Sequence, residues 1–223
     1  MKPWELLDQS EIPGQQGQLT LHRHDRDMVI RINGQELMST RWHASEDALG
    51  EVGCAPIANR TGAQVMIGGL GLGFTLAAAL KALKADAKVV VAELVPAVVR
   101  WNRGPLGDAA GRPMDDARVE IYDGDVVDCI ALHKARWDAI LLDVDNGPEA
   151  LTKKSNNALY GPEGLATAHA ALKPGGMFAV WSVSEEKTFS RRLEKTGFRV
   201  ETKSIYASGT RGRRHVIWFA TKK

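Results

Sequence analysis

Gln64-Val65-Met66-Ile67-Gly68-Gly69-Leu70-Gly71-Leu72-Gly73-Phe74 decides how this chain is read. An apolar run ends in four glycines within six positions, and a helical pattern follows. The stretch reads as strand, tight turn and helix. Glycine lacks a Cβ and tolerates positive φ, so such a turn lets a ligand approach the backbone closely. The amides at the start of the next helix suit a ligand's polar groups. A nucleotide-like cofactor is the expected occupant, weighed against a glycine turn that is merely structural.

Downstream of this stretch, strand and helix patterns alternate. Strands are expected at 64–68, 88–92, 118–122, 137–142, 176–181, 198–206 and 214–220. Helices are expected at 74–84, 95–103, 126–134, 161–172 and 185–195. Pro162 suits the first turn of its helix, and Ser184 is a candidate cap for the next. Apolar strands such as Ala139-Ile140-Leu141-Leu142 imply a parallel sheet covered on both faces. The last two strands have no helix between them and read as an antiparallel hairpin at the sheet edge. Upstream, residues 1–16 are polar and read as a loose lead-in. Residues 18–39 are β-rich, with a turn at His24-Asp25-Arg26-Asp27 and a hairpin signal at Asn33-Gly34. A helix is expected over 45–58.

In sheets of this kind, ligands bind beyond the carboxyl ends of the strands. Four strand ends carry glycine or acid here: Gly68 to Gly73, then Glu93, then Asp123-Gly124-Asp125, then Asp143-Val144-Asp145-Asn146. An acid at the end of the second strand, such as Glu93, can accept from both hydroxyls of a ribose. Asp125 can accept from an adenine amino group, cap the following helix, or do both. Asp143 follows four apolar residues, which places it at a pocket floor where it can orient or deprotonate a nucleophile. A dinucleotide fingerprint needs a third glycine three residues after the second. Phe74 or Leu76 stands there, and Gly69, Gly71 and Gly73 fit Gly-x-Gly-x-Gly instead. That spacing looks like a site for S-adenosylmethionine (AdoMet).

The bulk properties narrow the classes. The 223 residues are 44% hydrophobic, enough for one α/β domain and a small appendage. A net charge of +2 gives no electrostatic case for nucleic acid or a membrane surface. Cys54 and Cys129 show neither disulfide-framework nor metal spacing, and the histidines are scattered, so a reducing cytoplasm and no metal are expected. The first residues do not read as a signal peptide, and no run approaches a membrane span.

The ordered motifs resemble the spermidine synthase-like branch of AdoMet-dependent transferases, from about Ile30 to Ser182. The landmarks are Ile32-Asn33-Gly34, the glycine turn, Val91-Ala92-Glu93-Leu94, Asp115-Asp116-Ala117-Arg118-Val119 with Gly124-Asp125, Trp137 to Asp143, and Leu172-Lys173-Pro174-Gly175-Gly176. The resemblance implies a Rossmann-like, seven-stranded, mostly parallel sheet with helices on both faces, over 45–223. A small antiparallel β region, 1–44, would precede it. It further implies that Glu93 binds ribose, Asp125 binds adenine, and Asp143 deprotonates the attacking amine.

Departures from the pattern sit on the acceptor side. An acid expected in the glycine turn is Leu72, a Tyr-His-Glu-Met stretch is Ser45-Glu46-Asp47-Ala48, and an expected glutamine is Trp181. The favoured expectation is therefore methyl transfer from AdoMet to a small-molecule acceptor. Without an acid at Leu72, the AdoMet carboxylate would meet no repulsion. The alternatives are aminopropyl transfer from decarboxylated AdoMet to a polyamine, and a non-catalytic adenosyl-ligand binder. Asp145, Asn146, Tyr160 and Trp181 are candidate acceptor residues, with Trp42 beside them. Ser208 to His215 forms a basic hairpin loop that could meet an anionic substrate or nucleic acid, although a solvated turn is the simpler reading. No nucleic-acid partner is expected. A homodimer is compatible with the sequence, although no sequence feature gives the oligomeric state.

Overall fold

The computed structural model describes residues 3–13, 17–144 and 158–223. Asn33 and Gly34 have φ of 48° and 82°, the left-handed pair that closes a two-residue hairpin. They join β3 (Asp27–Ile32) to β4 (Gln35–Ser39), and Asp25 and Arg26 join β2 (Gln18–His24) to β3. With β1 (Glu5–Glu11) these strands form an antiparallel sheet in the order β1-β2-β3-β4. The loose lead-in expected over 1–16 is thus corrected, because residues 5–11 pair with β2. This strand lies at an edge and is mostly exposed, so it carries no apolar alternation to read. A hydrogen bond of 2.7 Å from Trp101 Nε1 to Asp8 ties it to the larger unit.

The second sheet holds β5 (Gln64–Gly68), β6 (Lys88–Glu93), β7 (Val119–Asp123), β8 (Trp137–Leu142), β9 (Leu172–Ser182), β10 (Phe198–Tyr206) and β11 (Arg214–Lys222). Their order is β10-β11-β9-β8-β5-β6-β7. Neighbours from β9 to β7 are parallel, and the β10–β11 hairpin lies antiparallel at the edge. Every residue of β8 is buried. Successive side chains feed opposite faces: Val65, Ile67 and Leu141 join one apolar cluster, and Met66, Ile140 and Leu142 the other. Leu19, Leu21 and Ile30 of the first sheet belong to the former cluster, so the two sheets share a core.

The helices are α1 (Ala44–Cys54), α2 (Phe74–Ala82), α3 (Pro96–Arg103), α4 (Val126–Ala131), α5 (Pro162–Ala171) and α6 (Lys187–Thr196). Pro162 occupies the first turn of α5 as expected. Several boundaries differ from the sequence reading. α1 gives way at Ala55 to a 3-10 turn containing Pro56, and α4 stops at Ala131. Ser184 does not cap α6, whose N-cap is Glu186 without a side-chain capping bond. β9 starts at Leu172, four residues early, because its pairing with β8 skips between Trp137 and Ala139 and accommodates Pro174-Gly175. No helix among the described residues is long and apolar enough to cross a membrane.

Candidate active site

The chain runs β5, β6, β7 to one side of β5 and then places β8 on the other. The strand order therefore reverses between β5 and β8, where a crevice forms beyond the strand ends. The glycine turn fills that point. Gly69 N donates to Ala92 O at 2.8 Å, and Asp143 N donates to Gly68 O at 2.8 Å. A Cβ on Gly69 would lie 2.3 Å from the Asp143 carbonyl oxygen, at a φ of +85°. Glycine is thus required there by both space and dihedral.

Two cavities open at this point. The smaller, about 200 Å³, is lined by Gly69, Gly71, Glu93, Gly124, Asp125 and Asp143, with Ile30, Ile32 and Met38 of the N-terminal sheet across it. The larger, about 710 Å³, is lined by Glu46, Leu72, Asp143, Trp42, Trp181 and the β10–β11 turn. Gly71 and Asp143 border both.

In the smaller cavity Glu93 is buried, and its two carboxylate oxygens accept from Leu70 N and Val95 N, each at 2.8 Å. These bonds fix the carboxylate at the end of β6. Asp125 caps α4 by accepting from Val127 N at 2.8 Å while also facing the cavity. Gly73 lines neither cavity. Its φ of 86° makes it the left-handed N-cap of α2, packed against Asn102 and Pro113.

Behind the wall of the larger cavity, the buried Thr75 donates from Oγ1 to Asp143 Oδ2 at 2.6 Å. Glu46 stands beside this pair because α1 and α2 approach closely. A Cβ on Gly50, one turn after Glu46, would lie 2.6 Å from Thr75 O. Burial, and then the Asp143 carboxylate, push the Glu46 carboxyl up to about 7, against a hydrogen bond from Ser45 and the field of His43. Ser45 Oγ also shares a hydrogen bond of 2.8 Å with His215 Nδ1. Burial, and secondarily Arg213, push His215 down to about 4, so this imidazole is neutral near pH 7. His215 packs edge-on against Trp181 at 4.7 Å.

The sequence reading placed Glu93, Gly69, Gly71, Gly124, Asp125, Asp143 and Trp181 around these cavities, and the structure brings them there. Trp42 also lines the larger one. Tyr160 does not. It is buried in the core, edge-on to Phe189 at 5.7 Å. Asp145 and Asn146 lie outside the described residues. Glu46, Ser45 and His215 fall in stretches that the sequence reading names on the acceptor side without giving them a role, and Thr75 is new to the site. They come from α1, α2 and β11, and only folding gathers them. Asp47, the neighbour of Glu46, is bound to His43 at 2.7 Å and borders neither cavity.

No protein-family model matches the sequence, and no curated protein matches it. Solved structures do match. A spermidine synthase in complex with the transition state analogue AdoDATO aligns with TM-score 0.75 and 19% identity, over 98% of this chain and 72% of its own. The spermidine synthase from Thermotoga maritima gives 0.77 and 19%, over 98% and 73%. A probable spermidine synthase from Corynebacterium glutamicum ATCC 13032 gives 0.67 and 15%, over 99% and 81%. Identities this low speak to architecture alone, and on architecture the agreement spans nearly the whole chain: it has the spermidine synthase fold.

Proposed function

We propose that this protein is a transferase that takes an alkyl group from an AdoMet-class sulfonium and passes it to an amine, and that the group is aminopropyl. The observation that carries the reading is Asp143, which borders both cavities. A donor with its adenosine in the smaller cavity and its transferable chain reaching past Asp143 into the larger would meet there an acceptor held in the larger cavity. Glu93 is oriented for a ribose, because an ionised carboxylate has about four acceptor sites and its two backbone bonds hold it in place. Gly124 and Asp125 border the same space, on the side where the resemblance assigns adenine.

The chemistry follows from this placement. The acceptor nitrogen attacks the carbon bound to the sulfonium sulfur. The C–S bond breaks, its electron pair stays on sulfur, and a neutral thioether leaves. The amine loses one proton, and Asp143, held by Thr75, is positioned to accept it.

The choice of group turns on Glu46. Leu72 alone favours AdoMet, since no acid in the turn repels its carboxylate. Glu46 lines the same cavity as Leu72 and stands next to Asp143. Two carboxyl groups here oppose a third carboxylate and favour an ammonium. The decarboxylated donor brings only the ammonium. The likeness to spermidine synthases supports the same choice over methyl transfer. Cytoplasmic residence belongs to this reading and is supported by the two buried free cysteines.

The test is transfer from decarboxylated AdoMet to amine acceptors, read as 5′-methylthioadenosine formed. Asp143→Asn keeps the shape and removes the base. It is expected to slow transfer by about 10²–10⁴-fold while still binding methylthioadenosine. Wild-type turnover in that variant would remove Asp143 from the chemical step.

A further inference from the structure

We propose that the acceptor is an amine whose far end is an anion, a carboxylate or a phosphate, held by Arg211 and Arg213. This rests on the transferase reading and names the substrate class of the larger cavity. Arg211, Gly212 and Arg213 line that cavity together with Glu46 and Asp143. The three arginines of the β10–β11 turn are not equivalent. Arg214 is committed: it donates to the Tyr206 hydroxyl at 2.7 Å, and its guanidinium lies 4.6 Å from that ring's centroid. Arg211 and Arg213 have no side-chain ion pair, hydrogen bond or ring contact among the described residues.

The turn that carries them is itself held. Ala207 N donates to Arg213 O at 2.9 Å, Arg211 N donates to Ser208 Oγ at 3.1 Å, and Ala44 N donates to Ala207 O at 3.1 Å. The last bond, with the Ser45–His215 contact, fastens the turn to the start of α1, the helix that supplies Glu46. The backbone that carries the two exposed guanidinium groups is therefore held at a cavity whose lining also includes the carboxyl groups of Glu46 and Asp143. His215 between them is neutral near pH 7 and adds no charge. Glu36 of β4, an exposed carboxylate, also lines the cavity, and it makes no ion pair with either arginine.

With Glu46 facing the donor's chain, a cavity so lined suits an acceptor with its amine at Asp143 and an anion at the arginines. The guanidinium fork matches carboxylate and phosphate oxygens in pairs. A diamine of similar length would put its second cation among guanidinium groups. The volume of about 710 Å³ accommodates a small acceptor with room for its own hydration.

The test uses the full chain saturated with methylthioadenosine, titrated calorimetrically with 4-aminobutanoate, 3-aminopropyl phosphate and 1,4-diaminobutane. At least one anionic amine is expected to bind tenfold or more tightly than the diamine, and the stronger of the two identifies the anion. In the doubly substituted Arg211→Gln, Arg213→Gln chain that advantage is expected to vanish, with methylthioadenosine affinity reporting that the variant is folded. Tighter binding of the diamine, no binding of either anionic amine, or an advantage that survives the substitutions would overturn the proposal. Failure of methylthioadenosine to bind would count against the transferase reading instead. The same three amines, titrated into the unliganded chain, would then decide the inference by the same order.

Discussion

Glu46 and His215 load the fold with opposite pH dependences. The Glu46 carboxyl rises from 4.5 to about 7 on folding, so between those values the native state holds a proton that the unfolded chain has released. Its contribution is complete below pH 4.5 and is lost as pH rises towards 7. His215 falls from 6.5 to about 4, so between those values the unfolded chain holds the extra proton. Its contribution is complete above pH 6.5 and is lost as pH falls towards 4. Burial is the main cause of both shifts; Asp143 adds to the first and His43 opposes it, and Arg213 adds to the second. Urea unfolding across pH 4–8 separates them. Glu46→Gln should gain stability relative to wild type as pH rises from 4.5 to 7, and His215→Gln should gain as pH falls from 6.5 to 4. Curves parallel to wild type would remove both assignments. Both residues lie in stretches that the sequence marks, the acceptor-side departure at Ser45 to Ala48 and the basic loop ending at His215, but nothing local shows that the two meet. Ser45 and His215 are 170 positions apart, and the close approach at Gly50 that admits Glu46 is a property of packing.

At the scale of elements, the β5–α2 turn illustrates what a local pattern can carry. Its strand, its glycines and its helix were all legible because each is a short-range preference. The structure adds which glycine does what. Gly69 and Gly111 both have positive φ, +85° and +76°, but only Gly69 faces a backbone atom where a Cβ would go. Gly111→Ala should cost roughly 1–2 kcal/mol, the penalty of a left-handed alanine, and leave transfer unchanged. Gly69→Ala bears the same penalty and also displaces the Asp143 carbonyl, so it should destabilise further and slow transfer by at least about tenfold. Thermal unfolding and turnover of the two variants measure the difference; equal effects would mean that the Asp143 contact is unimportant. β1 shows the converse. An exposed edge strand is held by pairing and by Trp101, and its polar sequence gave no signal of either.

At the scale of the molecule, the order of strands places two cavities that share Asp143, and the N-terminal sheet borders both. The donor side was readable because its residues follow strand ends in sequence. The acceptor side was readable only in part, through Trp42 and Trp181, since it combines β4, α1, the ends of β8 and β9 and the β10–β11 turn. That asymmetry is why Leu72, taken alone, pointed to AdoMet, whereas Glu46 from another element reverses the balance. The most direct test is calorimetry of AdoMet and decarboxylated AdoMet on the same protein at pH 7.5. Decarboxylated AdoMet should bind at least about tenfold more tightly, a difference of roughly 1.4 kcal/mol, and Glu46→Gln should narrow the gap. Tighter binding of AdoMet, with methyl transfer to an acceptor, would contradict the account.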